Sequence, residues 1–376
     1  MTVMVAPNMS ELLTNEILIG AIVIFLFFLL WLLAEPFKQA LHKAFSLHRM
    51  VNNPILAPHG LNTWETEAVF NPGALVDDEG MVHLLYRAIG MDGLSKIGHA
   101  VSADGRNFER RFGFPVFEHD HRKRDMRAEK DKKFNPAVYT SGGGWGGCED
   151  PRTVRIDDQV YMSYTAFEGW HSVRIALTSI GLDDFKQGKG NWKRPLLLSA
   201  PGTVEKNWVL FPDKIKGKYA VLHSISPEIR IEYVDNFDAF NGSKYIKSQN
   251  APTQGGRKDF WDNWMRGSAA PPLKTKKGWL LLYHAMDRND PNKYKLGAML
   301  LDLENPTKIL YRSPTPLLSP DMQYENDSKP GVIYASGAVV MGDELHVYYG
   351  GGDKYICAAH ANLNELLDWL TEHGKV

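Results

Sequence analysis

The stretch Asp78-Glu79-Gly80-Met81-Val82-His83-Leu84-Leu85-Tyr86-Arg87-Ala88 decides the fold of this chain, because its pattern recurs along the sequence. A turn signal of acidic residues and glycine comes first, and an apolar run that ends in a polar and a small residue follows. Turn residues before a short run rich in leucine and tyrosine are typical of a β-strand that begins at a tight turn. The stretch therefore predicts a strand that carries Arg87 near its end.

The same turn and run occur five times. Several copies are followed by a second strand-like segment, so each repeat predicts a small antiparallel sheet. Five such repeats favour an all-β fold, a five-bladed β-propeller; a pair of β-sandwiches is the alternative. The five runs are LLYRA at 84–88, MSYTA at 162–166, AVLHS at 220–224, LLYHA at 281–285 and VYYGG at 347–351.

Two further elements are predicted at the ends of the chain. From Asn362 to His373 the leucines follow helical spacing, which predicts a C-terminal helix packed on the outside of the repeats. The expected division is a membrane anchor with a juxtamembrane segment at 1–49 and a catalytic domain at 50–376. An N-terminal transmembrane helix thus completes the predicted fold.

That anchor is predicted from the unbroken uncharged run between Ile17 and Ala34, which has about the minimum length for a helix that spans a bilayer. A cleaved signal peptide is the alternative, but the residues before the run include no lysine or arginine. Lys38, Lys43 and Arg49 follow the run, so the positive-inside rule predicts a single-pass membrane protein with a cytoplasmic catalytic domain.

Composition excludes several classes of protein. The 376 residues have a formal net charge of -1 and no concentrated basic segment, which argues against nucleic acid as the main partner. Cys148 and Cys357 lie far apart without neighbours at metal-ligand spacing, so neither a disulfide framework nor a structural zinc is expected. No organic cofactor or metal is predicted, and the oligomeric state stays open.

An extra segment, Phe112 to Gly144, separates the first two repeats and contains the charged run His119 to Lys133. A solvated loop is the plain interpretation of such a run. A lid or a subunit contact near the active site is the alternative, because long loops in compact domains often carry function.

Aligning the five runs places Arg87, Thr165, His223, His284 and Gly350 at equivalent positions. In a propeller these positions would form a ring around the axis. Unpartnered charges are costly to bury, so an arginine and two histidines in one column indicate a site for an anionic or polyhydroxylated ligand.

The second repeat opens with Gly146-Gly147-Cys148-Glu149-Asp150-Pro151-Arg152, which sets two carboxylates beside an arginine. A carboxyl group in a rigid turn can serve as a proton donor if its environment retains the proton. Asp-Pro is also a common turn opener, so a purely structural role is the alternative for this stretch alone.

Motifs along residues 50 to 360 resemble glycoside hydrolase family 130, the β-mannoside phosphorylases and related mannosidases. The resemblance implies a five-bladed β-propeller with its active site in the central funnel. The motifs are Phe70-Asn71-Pro72-Gly73-Ala74, Leu85-Tyr86-Arg87-Ala88, Glu149-Asp150-Pro151-Arg152, Leu210-Phe211-Pro212-Asp213-Lys214, Trp279 to His284 and Tyr348 to Asp353.

The resemblance also implies the chemistry and the partners. Asp150 would be the general acid of an inverting reaction in which inorganic phosphate, as co-substrate, attacks a β-mannoside or oligosaccharide and releases mannose 1-phosphate. Phosphate needs no basic residue to activate it, but it needs cations around it. Motif matching assigns four residues to that role, with Lys214 a weaker candidate. They are Arg87, Arg174, Lys206 and His223.

The sugar is expected to meet a second set of residues from the same motifs. Arg152 has an alternative role, in which it pairs with Glu149 or holds the turn around Asp150, and Asp353 has one as a turn residue after three glycines. Tryptophans at 145, 170, 261 and 264 offer stacking faces or pack between repeats. The expected substrate-binding residues are Asn71, Glu149, Arg152, His284 and Asp353.

Three motifs depart from the family pattern: Ser224 replaces an arginine, Gly331 replaces an asparagine, and Gly351-Gly352 replaces Ala-Ala. Two other functions therefore remain as alternatives. One is an inverting β-mannoside hydrolase, which needs a second carboxylate such as Glu228 or Glu325 to activate water. The other is a non-catalytic glycan-binding propeller.

Overall fold

The computed structural model describes residues 23–26, 29, 44–118, 132–248 and 255–376. The chain divides into two compact units, Met1–Ala44 and Phe45–Val376. The regular secondary structure of the larger unit is mostly antiparallel β-sheet with few helices, which confirms the predicted all-β class.

The strands of the larger unit fall into five consecutive antiparallel groups. In every group the predicted apolar run lies in a central strand that pairs with a partner strand on each side. The first group is β2 (Ala68–Val76), β3 (Val82–Ile89), β4 (Leu94–Ser102) and β5 (Arg110–Arg111). The second is β6 (Gly146–Ile156), β7 (Gln159–Phe167), β8 (Val173–Gly181) and β9 (Leu196–Leu197). The third is β10 (Val209–Leu210), β11 (Tyr219–Ser224) and β12 (Arg230–Val234). The fourth is β13 (Trp264–Ser268), β14 (Leu273–Thr275), β15 (Gly278–Asp287), β16 (Asp290–Leu301) and β17 (Ile309–Arg312). The fifth is β18 (Ile333–Met341), β19 (Glu344–Gly351) and β20 (Tyr355–Asn362), with β1 (His48–Arg49) at its edge.

The first two groups share one sheet, because β4 and β6 pair in parallel over Leu94–Ser95 and Gly146–Gly147. At the other end of the chain, β1 pairs with β20, with His48 opposite His360. The first strand of the unit therefore adds to the last group. Sheet pairing alone does not define a propeller, so the five-bladed arrangement stays a prediction.

The core lies between neighbouring groups. Side chains of a strand point alternately to its two faces, and in β3 this alternation sends Leu84 and Leu85 to different clusters. Leu84 packs with Val339 and Tyr348 of the fifth group, whereas Leu85 packs with Met162 of the second. Separate clusters likewise join the second group to the third, the third to the fourth and the fourth to the fifth. Each group thus buries both faces against two others.

Helices are few in the larger unit. A short helix at Leu182–Lys186 follows β8, and a single 3-10 turn spans Gln323–Glu325. The C-terminal helix forms at Leu363–His373, as predicted, with the Asn362 side chain accepting a hydrogen bond from the Glu365 backbone N–H. Such a cap satisfies a backbone donor that the first turn leaves free.

The expectation of a membrane protein is corrected. Of the predicted anchor at 17–34, the structure describes only residues 23–26 and 29, which are helical, and the rest lies outside the described residues. Among the described residues, no helix has both the length and the apolar character that crossing a membrane requires, since a span needs about 20 consecutive apolar residues. The prediction of a single-pass localisation is corrected by this finding, and a membrane partner is not supported. Most of the charged run at 119–133 also lies outside the described residues.

One buried ion pair ties β1 to the loop before β18. The Arg49 Nε atom lies 2.7 Å from Oε1 of Glu325, whose side chain is fully buried. Tyr349 donates its hydroxyl to the same carboxylate at 2.8 Å, and the Met322 backbone N–H donates at 2.9 Å. Both of these are neutral donors, so of these three partners only Arg49, on β1, supplies a counter-charge to the carboxylate.

We expect Arg49→Met to lower the free energy of unfolding by roughly 3 to 5 kcal/mol, because it leaves a buried carboxylate without its counter-charge. Chemical unfolding of the full chain measures the loss. Arg106→Met is the matched control, since Arg106 pairs with Glu344 at the surface and such pairs contribute about 0 to 1 kcal/mol. Adding Glu325→Met to Arg49→Met should recover part of the loss; an unchanged unfolding midpoint in Arg49→Met would contradict this role.

Candidate active site

Residues at β-bulges in the first strands of the groups form the candidate site. The register between first and second strands shifts at four of these strands, and such bulges turn a strand and re-aim its side chains. In the third group Asn207 lies just before β10. The bulge residues are Asn71, Asp150, Arg266 and Ser336, and with Asn207 they make five equivalent positions.

Three of these residues have left-handed backbone conformations, with φ of 50° at Asn71, 52° at Asp150 and 66° at Asn207. Asparagine and aspartate tolerate this region better than most residues. The first strands are also close-packed: a Cβ on Gly267 would lie 2.5 Å from the Asn207 side-chain nitrogen, and a Cβ on Gly73 would lie 2.8 Å from the Pro151 carbonyl oxygen. Glycine at these points lets adjacent strands approach.

A cavity of about 910 Å³ opens over four of these positions, Asn71, Asp150, Asn207 and Arg266. It is lined by loops and strand ends from all five groups and from the segment before β6. Its polar lining includes Asn71, Arg87, Ser141, Asp150, Lys206, Asn207, Arg266, Asp290, Lys293, Tyr294, Lys329, Tyr334 and Asp353.

Asp150 lies in this cavity and is only 3% exposed. Asn71 donates its side-chain N–H to Oδ1 of Asp150 at 2.8 Å, and Nη1 of Arg87 lies 3.5 Å from the same oxygen. Burial by itself would raise the pKa of Asp150, but the charges of Arg87, Lys206 and Arg152 and the Asn71 hydrogen bond hold that pKa below its ordinary value. The carboxyl group is therefore ionised in the free protein.

Glu149 points away from the cavity and joins two cations. Its fully buried carboxylate lies 2.9 Å from Nη2 of Arg87 and 2.9 Å from Nζ of Lys206. The Ser141 hydroxyl lies 2.9 Å from both carboxylate oxygens, and Ser141 also accepts a hydrogen bond from Lys206 at 3.1 Å. Both oxygens of Glu149 are thus engaged by the protein, although the motif had suggested a contact with substrate.

Arg152 holds the strand that carries Asp150. It donates to the carbonyl of Asp150 at 2.9 Å and to that of Ala269 at 2.7 Å. Its Nη2 donates to the Asn207 amide oxygen at 3.0 Å and to the Tyr334 hydroxyl at 3.2 Å. These contacts link the second, third, fourth and fifth groups, which fits the structural alternative raised for Arg152.

His284 lies beneath two tyrosines and is fully buried. Its ring centroid is 4.7 Å from that of Tyr334 and 5.1 Å from that of Tyr294. Burial is the main cause that lowers the pKa of His284 well below its ordinary value, and the nearby charge of Arg152 adds to it. The neutral ring accepts a hydrogen bond at Nε2 from the Ala335 backbone N–H at 2.9 Å.

Asp353 lies on the cavity wall with φ of 53°. Nζ of Lys329 lies 2.9 Å from its carboxylate and also donates to the Thr140 carbonyl at 3.2 Å. Lys329 therefore connects the loop before β18, the wall of the cavity and the segment before β6.

Two predicted phosphate ligands are not among the cavity-lining residues. The Arg174 guanidinium donates to the Ser199 carbonyl and lies over the Tyr245 ring, 4.9 Å from its centroid. His223 is buried next to Trp208, and burial is the main cause that lowers its pKa to about 4. The structure thus brings Asp150 together with Arg87 and Lys206, and places Arg174 and His223 apart from the cavity.

Sequence reasoning missed Asn207, Arg266, Tyr334 and Lys329. The column drawn through the second strands contributes only Arg87 to the cavity lining. A signal was available, because Asn71-Pro72 and Asp150-Pro151 precede their runs by a similar interval. An alignment of first strands would have led on to Asn207 and Arg266.

The surroundings of the cavity contain neither a metal-binding cluster nor a candidate base among the described residues. Within the described ranges, no group of three or more His, Cys, Asp or Glu side chains is arranged to hold a metal ion. Neither candidate base lines the cavity: Glu325 is buried against Arg49, and Glu228 pairs with Arg230 at the surface.

Comparison with known proteins agrees with this geometry. The family model described as β-1,4-mannooligosaccharide phosphorylase, of glycoside hydrolase family 130, matches residues 46–372. A 1,2-β-oligomannan phosphorylase of Thermoanaerobacter sp. (strain X514) is 36% identical over 331 residues, covering 85% of this chain and 98% of the relative. A β-1,2-mannobiose phosphorylase of the same strain is 36% identical over 331 residues, covering 84% and 97%.

Solved structures give the same fold. The β-1,2-mannobiose phosphorylase of Listeria innocua superposes with a TM-score of 0.63 at 24% identity, covering 86% of this chain and 99% of that one. A putative glycoside hydrolase of Bacteroides ovatus gives a TM-score of 0.65 at 24% identity, covering 85% and 97%. Because the family model spans most of the sequence and the relatives are matched over nearly their full length, this chain belongs to glycoside hydrolase family 130 and is an enzyme of the β-mannoside phosphorylase kind.

Proposed function

We propose that this enzyme cleaves β-mannosides by inverting phosphorolysis and releases mannose 1-phosphate. The observation that carries the proposal is a buried acid, Asp150, set in a cavity beside Arg87 and Lys206. A phosphorylase needs one proton donor and a cationic environment for phosphate. β-1,2-linked mannooligosaccharides are the substrates to test first, because the two relatives at 36% identity act on that linkage.

Asp150 is the proposed general acid. The surrounding cations hold the pKa of its carboxyl group below the ordinary value, with burial opposing them. A phosphate dianion in the same cavity would offset those cations and raise the pKa of Asp150. The acid would then gain its proton when both substrates are bound, which is when the leaving sugar needs it.

Lys206 and Arg87 both line the cavity, and they are the cations proposed to bind phosphate. Lys206 retains 24% side-chain exposure despite its pairing with Glu149, whereas Arg87 retains 2%. Lys206 is therefore the more accessible of the two to an incoming anion. Arg174 and His223 are retained as proposed phosphate ligands on family resemblance alone.

Asn71, His284 and Asp353 are the proposed sugar-side residues, and Glu149 and Arg152 support them from behind. Asn71 and Asp353 line the cavity, where an amide and a carboxylate can bind hydroxyl groups. The Tyr334 ring stacks on the His284 ring and lines the cavity. His284 would therefore act on the sugar indirectly, by positioning Tyr334. No cofactor beyond inorganic phosphate as co-substrate is proposed.

Hydrolysis by the same cavity is disfavoured. An inverting hydrolase needs a second carboxylate free to activate water. The other acids in the cavity lining, Asp353 and Asp290, lie 2.9 Å and 3.1 Å from Lys329 and Lys295. Phosphate supplies its own nucleophilic oxygen, so phosphorolysis does not require the carboxylate of Asp353 or Asp290 to be free of its lysine.

The five strand groups are inferred to be the blades of a five-bladed β-propeller that forms the catalytic domain at 50–376. Three observations support this. Each group packs against two others through separate core clusters, including the first against the fifth. The first strands approach one another at the cavity, and β1 adds to the last group.

Asp150→Asn is expected to reduce phosphorolysis by about 10²- to 10⁴-fold, the usual contribution of a general acid. Purified enzyme is incubated with β-1,2-mannobiose, with and without phosphate, and the release of mannose 1-phosphate and of free mannose is measured. Wild type should give mannose 1-phosphate only when phosphate is present. Near-normal activity in Asp150→Asn, or phosphate-independent release of mannose by wild type, would refute the proposal.

Lys206→Met is expected to shift the pH dependence. The reaction needs protonated Asp150, so activity falls as pH rises through the pKa of that group. Removing a positive neighbour raises this pKa, so the alkaline limb of kcat should move to higher pH while the KM for phosphate rises. Lys214→Met is the matched control, because Lys214 pairs with Asp157 outside the cavity; an alkaline limb that stays in place in Lys206→Met would count against the coupling.

A further inference from the structure

We propose, on the basis of the phosphorolysis proposed above, that a second cavity beside the active site binds the sugars farther along an oligomannoside, with Trp170 as the ring on which one of them stacks. The second cavity has a volume of about 370 Å³. Thr140, Ser141 and Trp170 line both this cavity and the one that contains Asp150. The two spaces therefore adjoin.

The position of the cleaved bond determines which part of the substrate can reach the second cavity. Mannose 1-phosphate carries a single sugar, so phosphate attacks the anomeric carbon of the terminal mannose, and that mannose must lie beside Asp150. Every other sugar of an oligomannoside is then on the leaving-group side of the bond. Those sugars need a space that adjoins the first cavity, and the second cavity provides one.

Trp170 has the placement of a ring on which a sugar can stack. It is 53% exposed, although tryptophan is highly buried on average. The Phe167 ring meets it edge to face, with ring centroids 5.5 Å apart, and Nζ of Lys206 lies 5.4 Å from the Trp170 ring centroid. Trp170 is thus held by protein contacts while a large part of its side chain stays open to a ligand.

The other walls of the second cavity suit a pyranose, which has apolar C–H faces and a rim of hydroxyl groups. Trp145 is buried, and its Nε1 donates to the Asp92 carbonyl at 2.7 Å, so its ring forms a fixed apolar wall. Tyr139, Thr140 and His171 add hydroxyl and imidazole groups, which can form hydrogen bonds with sugar hydroxyls. Aromatic walls with a few polar groups are typical of small-molecule sites.

The charge of the second cavity favours a neutral ligand. Among the described residues that line it, Lys132 and Glu168 carry formal charges, and their signs are opposite. The first cavity, in contrast, has Arg87, Lys206 and Arg266 in its lining. An anion is therefore attracted to the first cavity, and an uncharged sugar fits the second.

The test compares wild type, Trp170→Ala and Trp170→Phe in phosphorolysis of β-1,2-mannobiose and of β-1,2-mannotetraose. The readout is the ratio of kcat/KM for the tetraose to kcat/KM for the biose, because any effect of the change on Lys206 acts on both substrates and cancels. This ratio should be roughly 5 to 30 in wild type, the usual contribution of an aromatic anchor, and should fall to near one in Trp170→Ala. Trp170→Phe keeps an aromatic face and should retain most of the ratio.

Phe114→Ala is the matched control, because Phe114 is also 53% exposed and lines neither cavity; its ratio should equal that of wild type. Thermal melting confirms that the variants are folded. A wild-type ratio near one, or a wild-type ratio retained in Trp170→Ala, would overturn the inference while phosphorolysis of mannobiose still stands. If wild type releases no mannose 1-phosphate from either sugar, the proposed function fails, and calorimetric titration with the two sugars decides whether Trp170 gives the longer one tighter binding.

Discussion

The structure depends on one backbone constraint, the bulge in the first long strand of the groups. A regular strand would send Asn71, Asp150 and Arg266 to alternate faces between neighbouring groups. The bulge frees each residue from the ladder and turns it toward the common cavity. Asn71 and Asp150 adopt positive φ at their bulges, a conformation that asparagine and aspartate tolerate better than most residues. Glycines such as Gly73 and Gly267 allow adjacent strands to approach.

Electrostatics then decides what the cavity can do. Three cations surround Asp150, and one buried carboxylate, Glu149, orders two of them. These charges hold the pKa of Asp150 below its ordinary value. In the proposed mechanism a phosphate co-substrate adds negative charge and raises that pKa, so attraction of the anion and the low pKa of the acid in the free protein have the same origin, a positive potential.

Much of the fold was accessible from sequence. The five apolar runs lie in the central strands β3, β7, β11, β15 and β19, and the C-terminal helix begins and ends near the expected residues. The site was accessible in part: Asp150, Asn71, Arg87, Lys206 and Asp353 meet in one cavity. Reasoning from a single column of second strands missed Arg266 and Tyr334, because the bulges that expose them are a property of strand pairing. The apolar run at 17–34 was over-interpreted, since hydropathy alone does not establish a membrane-spanning helix.

The sequence by itself determined the repeat, the all-β class and the family, because turn residues, alternation and motif order are local properties of the chain. Only the tertiary structure decided which polar residues share a cavity and how each is partnered. Glu149 and Asp150 are adjacent in sequence. The Glu149 carboxylate is buried between Arg87 and Lys206, whereas Asp150 lines the cavity. Strands separated by tens of residues must pack before these ion pairs and this cavity exist, so the sequence did not show that Glu149 is paired inside the protein rather than in contact with substrate.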